Sequence, residues 1–168
     1  MKTINNFLIN QLSYKVYCDM DGCLTDFVLA TNKLGFYKRK GETTINDIKM
    51  WSSIVRKGIS FWSEMEWMKD GKELWKFIKR FEPIILSAKL YGNDASVKGK
   101  KIWIKKHLGM DVKSIICNRK EKANYANLNS ILIDDKDKTI IEWKTKGGIG
   151  IHHKNTRKTI KQLKGILL

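Results

Sequence analysis

The stretch Val16-Tyr17-Cys18-Asp19-Met20-Asp21-Gly22-Cys23-Leu24-Thr25-Asp26-Phe27 constrains this chain more than any other. A short apolar run rich in β-formers stops at two aspartates one residue apart, and a glycine follows. Side chains of a strand alternate sides, so residues two apart share a face, and Asp19 and Asp21 would clash electrostatically if the strand simply continued. Gly22 lets the backbone turn, and both carboxyl groups can gather at the strand's C-terminal end. Open α/β sheets place their ligands there. Carboxylates so crowded call for a cation, and hard oxygen donors favour Mg²⁺.

The rest of the chain supplies a sheet for that strand. Apolar runs at Ile84-Ile85-Leu86, Val112 to Cys117, Ile131-Leu132-Ile133 and Ile149-Gly150-Ile151 predict four more strands. Between them lie segments of helical period. Leu74, Trp75, Phe77, Ile78 and Phe81 form one, blocked by Pro83. Val97, Ile102, Trp103 and Ile104 form another, closed at Leu108-Gly109. Ile140, Ile141 and Trp143 mark a third, and Thr156 to Leu168 a last amphipathic one. Strands alternating with helices predict an α/β fold, a Rossmann-like three-layer core with a mainly parallel five-stranded sheet. After the first strand, Asp26 to Leu34 reads as a short helix. Phe36 to Glu42 reads as a basic loop, and Thr43 to Ile48 as the N-cap of a helix carrying Met50, Trp51, Ile54 and Val55. Residues 28–68, aromatic-rich and without strand period, read as a small helical cap insertion. Residues 1–27 and 69–168 make the core domain.

Three strand ends carry chemistry-bearing residues. Ser87 follows Ile84-Ile85-Leu86, where a hydroxyl can bond a phosphoryl oxygen without adding charge. Asp134 and Asp135 follow Ile131-Leu132-Ile133 and would repel strongly without a cation. Asp135 or Asp137 can also cap the next helix. Between them, Arg119, Lys120 and Lys122 compete to neutralise an anion, and the spacing before Asp134 selects Lys122.

In this order, these segments resemble the motifs of the haloacid dehalogenase (HAD) phosphohydrolase superfamily over nearly the whole chain, led by Asp-x-Asp-Gly-x-Leu-Thr-Asp. More closely, the chain resembles the 5'(3')-deoxyribonucleotidase branch and its small phage and bacterial relatives. Asp19 to Phe27, Phe61-Trp62, Ile85-Leu86-Ser87-Ala88, Ile131 to Asp135, Glu142-Trp143, Gly147-Gly148 and Ile151-His152 carry that likeness. Cys23, Thr25, Ala88-Lys89 and Lys136 depart from the branch's usual residues. The resemblance implies Mg²⁺-dependent removal of phosphate from nucleoside monophosphates through an aspartyl-phosphate. Asp19 is then the nucleophile and Asp21 the general acid and base. Asp19, the backbone carbonyl of Asp21, and Asp135 hold the metal, with Asp134 beside them. Ser87 and Lys122 hold the phosphoryl group, and Lys100, a further substrate-binding residue, adds charge from the start of its helix. Phe27, Trp62 and Ala88 belong to the substrate site, with Trp51 a further surface for a base.

Charge raises a second reading. The formal net charge is +16, and twenty-eight of the 33 cationic residues are lysines. Lysine is a point charge, whereas arginine reads phosphate and guanine bidentately, so the excess suits a general attractive field. A phosphatase acting on nucleic-acid ends, or a nucleic-acid or protein binding module of the same fold, is therefore the alternative. The oligomeric state is not legible. Cys18, Cys23 and Cys117 form no CxxC pair, read as reduced thiols, and lack zinc-site spacing with His152 and His153. No apolar run approaches a membrane span, and the opening is too broken by Asn and Gln for a leader peptide, so the expectation is a cytoplasmic protein without membrane partners.

Overall fold

A computed structural model describes residues 14–37 and 48–168. The opening residues, read as too broken for a leader peptide, the basic loop beyond Tyr37 and the N-cap expected over Thr43 to Asp47 lie outside the described residues. Five strands form one sheet: β1 (Lys15–Cys18), β2 (Ile84–Ala88), β3 (Ser114–Cys117), β4 (Ser130–Asp134) and β5 (Ile149–His152). Their order is β3-β2-β1-β4-β5, and every pairing is parallel. The expected α/β sheet is therefore present, with all five strands parallel. β1 is central, and Cys18 lies level with Ile85 on one side and Ile133 on the other. The residues that follow these three strands thus emerge side by side at one edge of the sheet.

The strand period sorts the core into two layers. Val16, Cys18, Ile85, Ile131 and Ile133 point to one side, packing with Leu74 and Ile78 of α4 (Gly71–Ile78), Trp103 and Ile104 of α5 (Asp94–His107), and Leu163 of α7 (Thr156–Leu167). Tyr17, Ile84, Leu86 and Leu132 point to the other, against Ile140 and Trp143 of α6 (Asp137–Thr145). This second side also holds a 3-10 segment, Arg119–Tyr125, which the sequence reading left unassigned. Another 3-10 turn, Lys79–Phe81, extends α4 to the residue before the turn into Pro83. Apolar strands covered on both faces are what a parallel sheet requires.

Three helices precede α4. They are α1 (Phe27–Asn32), capped by Asp26 accepting from Leu29 N, α2 (Ile48–Lys57) and the short α3 (Ile59–Ser63). Met50, Ile54, Phe61, Trp62 and Met65 from this region are buried in the same hydrophobic cluster as β1 and α5. Gly99 makes the closest of these approaches possible. A Cβ there would lie 2.6 Å from Ile59 O and 2.6 Å from Trp62 Cβ, so only glycine lets α3 settle on α5. No helix among the described residues is long and apolar enough to cross a membrane.

Trp103 ties that contact down, since its buried Nε1 donates to Met65 O at 2.7 Å. Trp103→Phe keeps much of the ring but leaves the carbonyl unpaired, at a cost of about 1–3 kcal/mol. A urea titration should show this as a lower midpoint with an unchanged slope.

Candidate active site

The site begins where β1 ends. Asp19 N donates to Ile133 O, which continues the β1–β4 ladder by one residue and fixes Asp19 at the sheet's edge. The chain then turns, as the amides of Cys23, Leu24 and Thr25 all point back to Met20 O. Gly22 has φ +79°, and a Cβ on it would lie 2.5 Å from Asp135 Oδ2. The turn is thus folded against the carboxylate that follows β4, and the glycine expected for a turn is also needed for that approach.

Two buried lysines organise the carboxylates. Lys122 Nζ lies 3.0 Å from Asp19 Oδ1 and 2.8 Å from Asp134 Oδ2. Burial works against its charge, but Asp19 and Asp134 outweigh burial and hold the ammonium above the ordinary lysine range. Lys122 is therefore the member of the 119–122 cluster brought into the site. Arg119 instead makes a paired contact with Glu142, at 2.7 and 3.1 Å. Lys100, from the middle of α5, is fully buried. It donates to Asp21 Oδ2 at 2.6 Å, Ser87 Oγ at 2.9 Å and Ala88 O at 2.7 Å. The sequence reading gave Lys100 only added charge from the start of its helix. The structure makes it the link between the ends of β1 and β2, and thereby brings Ser87 and the Ala88 carbonyl to Asp21. One signal was in the sequence: Gly99 and Lys100 fall on the apolar face beside Trp103, where an unpaired lysine has no place.

Asp134 and Asp135 have different surroundings. Asp134 is fully buried and also accepts from Lys136 N at 2.8 Å. Burial first, then the neighbouring Asp19 carboxylate, push its carboxyl up to about 7 against the pull of Lys122. Asp135 is raised for the same two reasons. Its Oδ2 meets Lys136 Nζ at 2.9 Å, while its Oδ1 is buried without a hydrogen-bond partner. Neither residue caps α6. The N-cap position is Lys136, and Asp137 is already helical, because the acidic side chains before it are engaged in the site. His152, at the end of β5, is a residue the sequence reading did not place in the site. Its Nε2 lies 3.0 Å from Asp135 O and its Nδ1 lies 3.5 Å from Asp137 Oδ1, so it steadies the loop that presents Asp135.

Asp19, Asp134 and Asp135 each bring one oxygen within 4.8 Å of the others. With Asp21, four carboxylates face the ammonium groups of Lys100, Lys122 and Lys136, leaving one net negative charge when all four are ionised. An orphaned buried carboxylate oxygen in an acid-rich cluster fits a hard divalent cation, which would supply the missing partner. Asp19 and Asp135 fit its ligand roles best, since Asp134 already has both oxygens occupied.

The aromatic residues expected at the substrate site form one group beside Lys100. Phe27 is half-buried, with ring centroids 5.9 Å from Trp51, 5.8 Å from Phe61 and 6.0 Å from Trp62. Trp62 is buried, and Lys100 Nζ stands 5.0 Å from its ring centre. Phe27 is thus the half-exposed member of the pair, and Trp62 backs both it and the lysine.

Fold and site together define a parallel α/β protein with a carboxylate–lysine centre at the C-terminal ends of its three central strands. The sequence matches no protein-family model and no curated protein. Among solved structures, the fold is similar to the crystal structure of a hydrolase from Streptococcus pneumoniae TIGR4, with a TM-score of 0.52 over 90% of this chain and 99% of that one. At 11% identity the likeness is one of fold.

The titration of Asp134 gives a test. Its unfolded value is near 3.8 and its folded value about 7, so between them the folded state binds the extra proton. Stability conferred by that proton is lost as pH rises toward 7. In chelator-treated protein the melting temperature should fall across this window, and Asp134→Asn should flatten the fall. A divalent cation should oppose it by favouring the ionised carboxylates. Gly22→Ala, which displaces Asp135, should abolish the thermal stabilisation by added Mg²⁺.

Proposed function

We propose that this protein is a Mg²⁺-dependent phosphomonoester hydrolase of the HAD type, acting on nucleoside monophosphates. The observation that carries the reading is the pairing of Asp19 and Asp21 with separate buried lysines, beside Ser87 and the orphaned oxygen of Asp135. A structural ion pair needs no such set, whereas phosphoryl transfer needs a nucleophile, a proton carrier and cationic groups for the phosphoryl oxygens.

Asp19 is suited to attack. Its Oδ1 is held by Met20 N at 2.8 Å and by Lys122, which orients the carboxylate, while its other oxygen has no hydrogen bond among the described residues. In the first step an Asp19 oxygen forms a bond to phosphorus as the bond from phosphorus to the ester oxygen breaks, and Asp21 gives its proton to the departing alkoxide. In the second step water attacks phosphorus, Asp21 takes its proton, and the Asp19 acyl-phosphate P–O bond breaks to release inorganic phosphate. Asp21 is positioned by Thr25 Oγ1 at 3.0 Å and by Lys100. A phosphoryl oxygen entering beside Ser87 competes for the same ammonium, and drawing Lys100 off Asp21 Oδ2 frees that oxygen for the proton. Asp19 and Asp135, with the Asp21 carbonyl, would hold Mg²⁺, whose charge offsets the surplus negative charge of the site and of the phosphate. Residues 28–68 serve as the cap, where Phe27 offers a face to a base.

Asp19→Asn should abolish phosphate release while leaving the melting transition cooperative. Retained turnover in that variant overturns the reading. The panel is deoxy- and ribonucleoside 5'- and 3'-monophosphates, sugar phosphates and a small phenolic phosphate, each with and without Mg²⁺. Phe27→Ala should raise KM for the preferred nucleotide by about tenfold, a stacking loss of roughly 1–3 kcal/mol, and leave the phenolic phosphate little changed.

A further inference from the structure

The surplus positive charge is not spread evenly over the molecule. On the side of the sheet covered by α6 and the 3-10 segment, exposed Lys120, Lys136, Lys138, Lys144 and Lys146 are interleaved with Glu121, Asp137 and Glu142, and Lys136 is paired with Asp135, so the surplus there is small. The opposite layer differs. α7 carries Arg157, Lys158, Lys161 and Lys164 on its exposed surface and no acidic residue. α5 exposes Lys98, Lys101, Lys105 and Lys106 against a single acid, Asp94, in its first turn. α4 adds Lys72 and Lys76 beside Glu73. A lysine-rich composition alone would raise the charge of both sides together, so the separation belongs to the fold.

The spacing makes these residues one surface. Lys98, Lys101 and Lys105 follow the three- and four-residue steps of a helical stripe, as do Arg157, Lys161 and Lys164. Each stripe runs about 10 Å along its helix, and neighbouring helices in a layer sit about 10 Å apart. α7 packs on both α4 and β5, and α5 on β3, so the layer spans the sheet. His107 of α5 reports the join between helices: burial, Lys106 and Lys72 of α4 together lower its basicity.

We propose that the outer face of the α4–α5–α7 layer binds the phosphate backbone of nucleic acid without reading its sequence. A regular array of ammonium groups complements a regular array of phosphates, and lysine supplies attraction without bidentate recognition of bases. An anionic membrane offers charge too, but a surface helix held there buries an apolar face among the lipids. Here the apolar face of α7 is spent on the sheet through Leu163, and Ile102 is the one large apolar side chain exposed on these three helices. The face is separate from the buried carboxylate–lysine centre. Its occupation would hold the protein on nucleic acid independently of what the active site hydrolyses.

Fluorescence anisotropy of labelled single-stranded and duplex oligonucleotides of arbitrary sequence tests this without turnover, so it stands or falls apart from the phosphatase reading. The wild type should bind both, with log K falling linearly in log salt at a slope reflecting several released ions. Lys101→Glu/Lys161→Glu and Lys138→Glu/Lys144→Glu change the net charge equally but lie on opposite sides of the sheet. The first pair should weaken binding about tenfold or more at moderate salt and the second by less than about threefold, with melting temperatures alike. Equal weakening by the two variants overturns the proposal, as does absence of oligonucleotide binding at low salt. Tighter retention on phosphatidylserine-containing vesicles than on oligonucleotides overturns it in favour of a lipid surface.

Discussion

Lys122 buried between Asp19 and Asp134 is the interaction on which the site depends. The three central strands run parallel, so their ends bring carboxylates together whether or not they repel. Removing either charge partner would strand the others in a medium too poor to solvate them, at a cost of about 3–5 kcal/mol. One ammonium between two carboxylates resolves this only in part. Asp134 remains poised near neutrality, and an oxygen of Asp135 remains without a partner. The protein holds its site short of full neutralisation, and that shortfall is what a cation can complete.

Lys100 performs a similar task with a different result. Its three acceptors come from the ends of two strands and include a carboxylate, a hydroxyl and a backbone carbonyl. It directly follows the glycine that admits α3, and its head stands near the Trp62 ring. Charge in the site and packing of the 59–68 region are therefore linked through adjacent residues of one helix. Lengthening residue 99 would move α3 and the lysine's environment together.

Much of this was legible from local pattern. The strand endings at Asp19, Ser87 and Asp134 could be read because a parallel sheet places the C-terminal ends of its strands on one edge, and apolar runs mark strands well. Lys122 could be chosen because its segment leads directly into β4. Lys100 and His152 were underread for the opposite reason. Asp21 lies 79 residues from Lys100 and Asp135 lies 17 from His152, and although local spacing puts Lys100 on the apolar face of α5, it does not show which residues meet either side chain. The expected cap of α6 failed for a related cause, since carboxylates drawn into a long-range cluster are withdrawn from the helix end they would otherwise serve. The division of charge between the two helical layers was equally hidden, because it appears only when the strands' alternation assigns each helix a side.

The reach of these contacts along the chain bears on how the protein is made. The aspartates that follow β1 leave the ribosome before their counter-charges, which arrive with residues 100 and 122, and the brace on the Asp135 loop arrives with His152. β1 itself is central and needs β2 and β4 on its flanks. A nascent chain therefore carries Asp19 and Asp21 without the geometry to use them until residues 100 and 122 have followed. The carboxylate–lysine centre can assemble only after β4 and the segments carrying Lys100 and Lys122 have emerged, so the order of emergence sets when the site forms.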